Sequence, residues 1–178
     1  MYPPETVYGI GCDPLDAAAC DRIRRLKGRD GEKPMLLLAT SLDQVTDFAG
    51  PLSDTALSLA GTFWPGPLTM VIMPEKNLPG HIRGNGGGVA FRVSPCRVAS
   101  EIARRFGRPV TSTSANRSGE PPAVSYEEAL GLFGAEVDCV VGQDEPLGGI
   151  PSTVVDVTGE SVLLVREGGV SFERIREI

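Results

Sequence analysis

Short apolar runs alternate with amphipathic stretches of helical period along nearly the whole chain, and that alternation leaves few architectures open. Strand-like runs fall at Met35 to Ala39, Leu68 to Met73, Val89 to Val93, from Val110 onward, Val137 to Val141, Thr153 to Val157 and Val162 to Arg166. They are brief and bounded by turn residues, which is the pattern of buried or half-buried strands. Helices are expected between them: Pro14 to Leu26, a short one after Ser41, Ser53 to Phe63, Ser94-Pro95 to Phe106, and Ser125 to Phe133. Asp13 can cap the first, with Pro14 in its opening turn. Ser41-x-x-Gln44 and Ser125-x-x-Glu128 read as capping boxes. Leu15, Ala18, Ala19, Ile23 and Leu26 give the first helix one apolar face, and Gly28 ends it. The 22 glycines and 15 prolines supply the tight turns that such short elements need. The expected product is one α/β domain over residues 1–178, built on a mixed sheet.

Charge and composition narrow the partners. The net charge is −6 and aromatics are 6% of the chain, whereas a domain gripping nucleic acid is usually basic and offers rings for base stacking. A small anionic ligand needs only a local cluster of Lys and Arg. Cys12, Cys20, Cys96 and Cys139 contain no C-x-x-C pair, so neither a zinc site nor a disulfide framework is indicated, and four reduced, mostly packed thiols are expected. The single histidine, His81, lies in a polar, Gly-rich stretch and is given no role. No apolar run approaches the ~18 residues of a membrane span. With no leader segment evident, a cytoplasmic location is expected.

Two segments concentrate polar groups beyond what packing needs. Lys27-Gly28-Arg29 follows a helix end and can turn two cations toward one ligand, Arg as a planar fork and Lys as a point charge. A solvated basic helix end is the other reading of the same residues. Thr111 to Gly119 follows the apolar Val110; if extended, Ser112, Ser114 and Asn116 share one face and can bind ribose, phosphate or an amino-acid headgroup. A plain turn is the alternative there. G-x-S-x-G, a Walker A loop and G-x-G-x-x-G after a strand are all absent, so neither a nucleophilic serine nor a P-loop is indicated.

These segments belong to a longer series: Pro3-Pro4-Glu5-Thr6-Val7-Tyr8-Gly9, Lys27-Gly28-Arg29, Phe63-Trp64-Pro65-Gly66-Pro67-Leu68-Thr69, Phe91-Arg92-Val93, Ser112-Thr113-Ser114-Ala115-Asn116, Pro151-Ser152-Thr153 and Arg166-Glu167-Gly168. In that order, over nearly the full length, the chain resembles the YrdC-type threonylcarbamoyl-AMP synthases. The resemblance implies a twisted open mixed sheet with flanking helices and a concave, locally positive cavity. It implies an enzyme joining L-threonine, bicarbonate and ATP, with Mg2+, into threonylcarbamoyl-AMP and pyrophosphate, a product passed to a separate transferase complex acting on tRNA. By motif, Lys27 and Arg29 would be the catalytic phosphate clamp, and Ser114, Asn116 and Arg166 would complete the ATP site. Thr6, Arg92, Ser112 and Ser152 would contact threonine; no dedicated protein ligand is implied for the metal. Lys33 falls near the substrate in relatives, without a defined role. The Trp64-Pro65-Gly66-Pro67 stretch is taken as a rigid turn with a buried indole.

The chain also departs from that family. Relatives begin earlier, with a helix and a strand, so a central strand is expected to be missing. Pro4 replaces a threonine and offers neither hydroxyl nor backbone donor. The end soon after Arg166-Glu167-Gly168 resembles the compact single-domain form. Two other functions compete: a carbamoyl-phosphate-using carbamoyltransferase domain, whose proteins are much larger, and a non-catalytic module with weak RNA binding, which the charge of −6 disfavours.

Overall fold

The computed structural model describes residues 1–4, 7–28, 34–142 and 150–178. Among them, seven strands form one sheet: β1 (Gly9–Ile10), β2 (Leu36–Ala39), β3 (Leu68–Ile72), β4 (Val89–Val93), β5 (Val110–Ser114), β6 (Thr153–Asp156) and β7 (Leu163–Arg166). Their spatial order is β1-β5-β2-β4-β3-β6-β7, and each neighbouring pair is hydrogen-bonded. β2 runs parallel to β4 and β3 parallel to β6, while the other four pairings are antiparallel, so the sheet is mixed as expected. Its two edges, β1 and β7, leave it open. The helices are α1 (Ala17–Leu26), α2 (Leu42–Ala49), α3 (Asp54–Phe63), α4 (Arg97–Phe106), α5 (Tyr126–Phe133) and α6 (Phe172–Arg176).

The capping logic of the sequence explains most helix starts. Ser41, Ser53 and Ser125 each accept a hydrogen bond from a backbone N–H three residues on, satisfying a donor that would otherwise be orphaned. α1 starts later than expected. Asp16 is its cap, accepting from Ala19 N, while Asp13 accepts from Leu15 N in the preceding turn. Leu15 therefore lies outside the helix and is exposed, and the buried stripe of α1 runs through Cys20 and Ile23 to Lys27. α4 opens at Cys96, with the Ser94 hydroxyl accepting from Cys96 N just before it. Val137 to Val141 is not a strand: Val137 and Val140 pack against the α1–α5 side of the core, and the segment meets only Met1, whose amino group donates to Cys139 O while Val141 N donates to Met1 O. Apolar side chains alone do not make a strand where the backbone finds no ladder of the sheet to join.

The two faces of the sheet do different work. Leu37 and Ala39 of β2, Met70 of β3, Phe91 and Val93 of β4 and Val155 of β6 point into the main core with residues of α2, α3 and α6. On the opposite face, α1 and α5 enclose Tyr8, Ile10 and Met35, and α4 covers Leu38 and Val110 with Ala99 and Ala103. Between these helices part of that face stays uncovered. Period-two alternation thus sets aside Thr69, Arg92, Ser112, Ser114 and Val154 for the bare patch.

Candidate functional site

The uncovered patch is the floor of a pocket of about 330 Å³. All seven strands contribute to its lining: Gly9 of β1, Leu36 and Leu38 of β2, Thr69 and Val71 of β3, Ala90 and Arg92 of β4, Ser112 and Ser114 of β5, Val154 of β6 and Arg166 of β7. The register makes this coherent, since Leu38 pairs with both Arg92 and Val110, Leu36 with Ser112, Thr69 with Val154, and Val154 with Arg166. Pro4 and Val7 line it from the N-terminal segment, and Ser94 Oγ donates to the Pro4 carbonyl at 2.8 Å.

Two guanidinium groups border this pocket. Arg92 is 3% exposed, and its Nε donates to the Gly66 carbonyl at 3.0 Å. Its fork is thereby fixed against the Trp64–Pro67 turn, and a guanidinium held in one orientation can pair with a carboxylate or a phosphate. That turn is more than a bend, since it supplies Gly66 O to the arginine. Trp64 itself is half-buried rather than buried, its Nε1 donating to Leu68 O at 2.7 Å. Arg166 lies at the exposed rim; its Nη2 donates to the Ser152 carbonyl at 2.8 Å. Burial of part of its side chain lowers its pKa from the ordinary value, but a guanidinium remains charged. Ser152 is buried, and its Oγ lies 2.8 Å from Thr69 Oγ1.

A third cation stands beside this wall. Lys27 is only 2% exposed, so the solvated helix-end reading does not hold for it. Its ammonium donates to the carbonyls of Ser114 and Asn116 and, at 2.9 Å, to Asn116 Oδ1. Ser114 Oγ also donates to Asn116 Oδ1 at 2.6 Å, and Asn116 Nδ2 donates to Glu120 O. Both readings of the 111–119 segment find a place. It is a strand through Ser114 and a bend and turn thereafter, with Asn116 tied to Lys27 at the junction. A buried ammonium holding backbone carbonyls is costly to desolvate unless well partnered, so Lys27 fixes the strand end rigidly.

Of the residues expected from sequence, Arg92, Ser112, Ser114, Ser152 and Arg166 share the pocket, and Lys27 and Asn116 join it through Ser114. Thr6, Arg29 and Lys33 lie outside the described residues. Thr69 joins the pocket without a motif role of its own; its signal in the sequence is a hydroxyl in an otherwise apolar strand, at a position whose alternation faces away from the core. Among the described residues no group of three or more His, Cys, Asp or Glu side chains is arranged to hold a metal ion.

The same arrangement of strands occurs in proteins of known structure. The Sua5/YciO/YrdC family model, which carries the description "Telomere recombination", matches residues 1–168. The chain belongs to this family. It is 40% identical over 162 residues to the threonylcarbamoyl-AMP synthase of Thiobacillus denitrificans, covering 91% of this chain and 86% of that protein. Superposition on Pyrococcus abyssi Sua5, solved in complex with L-threonine, gives a TM-score of 0.91 at 35% identity. That match covers 99% of this chain and 52% of the Pyrococcus chain, so the chain spans about half of that relative. Escherichia coli YciO superposes with a TM-score of 0.87 at 25% identity, covering 98% of this chain and 84% of its own. The twisted open mixed sheet with flanking helices is therefore the fold of the family.

Proposed function

We propose that the chain is an L-threonylcarbamoyladenylate synthase, an enzyme of the nucleotidyltransferase class acting in tRNA modification. The observation that carries this reading is the pairing of a buried, oriented Arg92 with a Lys27-anchored hydroxyl strand around one pocket, in a family whose curated relatives are named threonylcarbamoyl-AMP synthase. Arg92 offers a fork to the threonine carboxylate, with Thr6, Ser112 and Ser152 around the rest of the amino acid. Lys27 and Arg29 oppose phosphate charge, and Ser114, Asn116 and Arg166 surround the nucleotide.

In this reading the threonine amine and bicarbonate condense to a carbamate with loss of water. A carbamate oxygen then attacks the α-phosphorus of ATP and pyrophosphate leaves. No covalent enzyme intermediate is required, and the chain's own contribution is to position two anions and offset their charge. Magnesium would travel with the nucleotide, held by its phosphates. The adenylate is a reactive mixed anhydride and would be handed to a transferase complex acting on tRNA. A cytoplasmic location accompanies this role; among the described residues no helix is long and apolar enough to cross a membrane.

Pyrophosphate release from ATP tests the proposal. Release should require both L-threonine and bicarbonate, and Lys27→Ala should lower it by roughly 10²-fold or more, the cost of losing a preorganised charge contact. Arg92→Lys should raise the KM for threonine more than it lowers kcat, because a point charge replaces a fork. Release from ATP alone, indifferent to both co-substrates, would count against a synthase.

A further inference from the structure

A second hollow, of about 420 Å³, shares no lining residue with the pocket described above. It is largely apolar, with Met1, Ile10, Ile23 and Phe106 among its walls, and Cys12 opens onto it. The Cys12 sulfur lies 3.6 Å from that of Cys20, one turn into α1. The exposed Cys139 stands on another wall of the same hollow; of the close pair, Cys20 is fully buried and Cys12 half-buried, so a small solute reaches Cys12 before Cys20.

The surroundings hold Cys12 in place. Its backbone N–H donates to Thr111 Oγ1 at 2.8 Å, and Thr111 N donates back to the Cys12 carbonyl at 3.0 Å. The same threonine hydroxyl lies 3.3 Å from the Cys12 sulfur. A disulfide needs the sulfurs at about 2.05 Å, so an approach of roughly 1.5 Å would join them. The free end of the approach is the side chain of Cys20, since Cys12 is tied to β5.

We propose that Cys12 and Cys20 form a peroxide-sensitive thiol pair, with Cys12 the attacking sulfur and Cys20 the resolving one. The Cys12 thiolate attacks one oxygen of a hydroperoxide; the O–O bond breaks, the departing oxygen takes up a proton and leaves as water or an alcohol, and Cys12 is oxidised to a sulfenic acid. The Cys20 sulfur then attacks the sulfenic sulfur, losing its proton and expelling water, and a disulfide results. A dithiol reductant reverses the change by exchange. The direction of attack follows from exposure, since Cys12 lines the hollow and Cys20 is buried behind it. In keeping with this, hydrogen bonds with the Cys20 thiol and, more weakly, the Thr111 hydroxyl hold the Cys12 thiol below its ordinary value against burial and the charges of Asp16 and Asp13. Hydrogen bonding to Cys12, together with burial, pushes Cys20 up. A low, accessible thiol beside a buried partner is the environment in which oxidation becomes selective.

The experiment is graded hydrogen peroxide on the folded full chain, alkylation of remaining thiols, and peptide mass analysis. Trypsin leaves Cys12 and Cys20 on one peptide, Met1 to Arg22, which should become lighter by two hydrogens. Cleavage before Asp13 and Asp16 should release Asp13 to Leu15 and leave the Cys12 and Cys20 parts joined until a dithiol is added. Cys20→Ser should accumulate a dimedone-trappable sulfenic acid on Cys12, and Cys12→Ser should leave Cys20 open to alkylation only after unfolding. Cys96 and Cys139 serve as internal comparators within the wild-type chain, so the result does not depend on either variant folding. Oxidation of Cys139 or Cys96 while Cys12 and Cys20 stay reduced would overturn the proposal. So would conversion of Cys12 to its sulfinic acid with Cys20 still alkylatable.

Discussion

The Thr153 hydroxyl, with no exposed surface, ties the C-terminal segment to the sheet. It accepts from Gly168 N at 2.8 Å and Val170 N at 3.1 Å, and donates to Val170 O at 2.5 Å. Thr153→Val keeps the shape and leaves those backbone groups without a partner, so it should lower the free energy of unfolding by about 1–3 kcal/mol. Urea unfolding at constant m-value measures it, and no change in midpoint would show that the loop re-satisfies itself. At this scale the sequence reveals a residue when its type is conspicuous for its surroundings. Arg92 in an apolar strand and the hydroxyl row at Ser112 and Ser114 are conspicuous. Gly66 O is not, because a backbone carbonyl carries no signature of its type, and the anchoring of Arg92 depends on it. The burial of Lys27 was equally hidden: its neighbours Arg24 and Arg25 look the same on paper, and only the rotation of α1 turns Lys27 inward.

Helix starts were legible where a serine caps and a spacing repeats, and the strands were legible where apolar residues alternate or run together between turns. The readings that failed share a cause. Val137 to Val141 has strand composition, but its valines pack as loop anchors, and β1 was missed because two residues carry no period. Both depend on which backbone segments come to lie side by side in the fold, and a local pattern does not encode that. The close packing of Gly168 gives a test for the β6–β7 element. A Cβ there would meet Pro151 O at 2.3 Å and the Ser152 carbonyl carbon at 2.6 Å, both backbone atoms. Gly168→Ala must therefore displace the segment that carries Ser152 and accepts from Arg166. The expected outcome is a several-fold rise in KM for threonine or ATP, with the far-UV circular dichroism of the sheet retained. Wild-type kinetics in this variant would show that Ser152 and Arg166 do not act at the site.

On the scale of the whole molecule, ligand binding should report on the pocket as a unit, since it draws on β2, β3, β4, β5, β6 and the N-terminal segment together. A substrate at 100 times its Kd adds about 2.7 kcal/mol of stability. For a domain of this size that corresponds to a Tm rise of roughly 5–10 °C. Thermal unfolding with ATP and L-threonine, singly and together, measures it, and a flat Tm with both would count against binding of either substrate by the folded chain. The order of the strands also bears on how the chain is made. β2 and β4 can pair once Val93 has left the ribosome, and β3 can join them, yet β3's other neighbour is β6, which is still untranslated. Through the synthesis of the residues between them, the apolar Leu68–Ile72 strand has one open edge, for a time on the order of ten seconds at ~5–20 residues per second. A nascent chain stalled in that interval carries Arg92 and the Ser112–Ser114 strand but lacks Ser152 and Arg166. It would present a sticky edge and an unfinished pocket at once, and a chaperone that covers exposed strands would find it there.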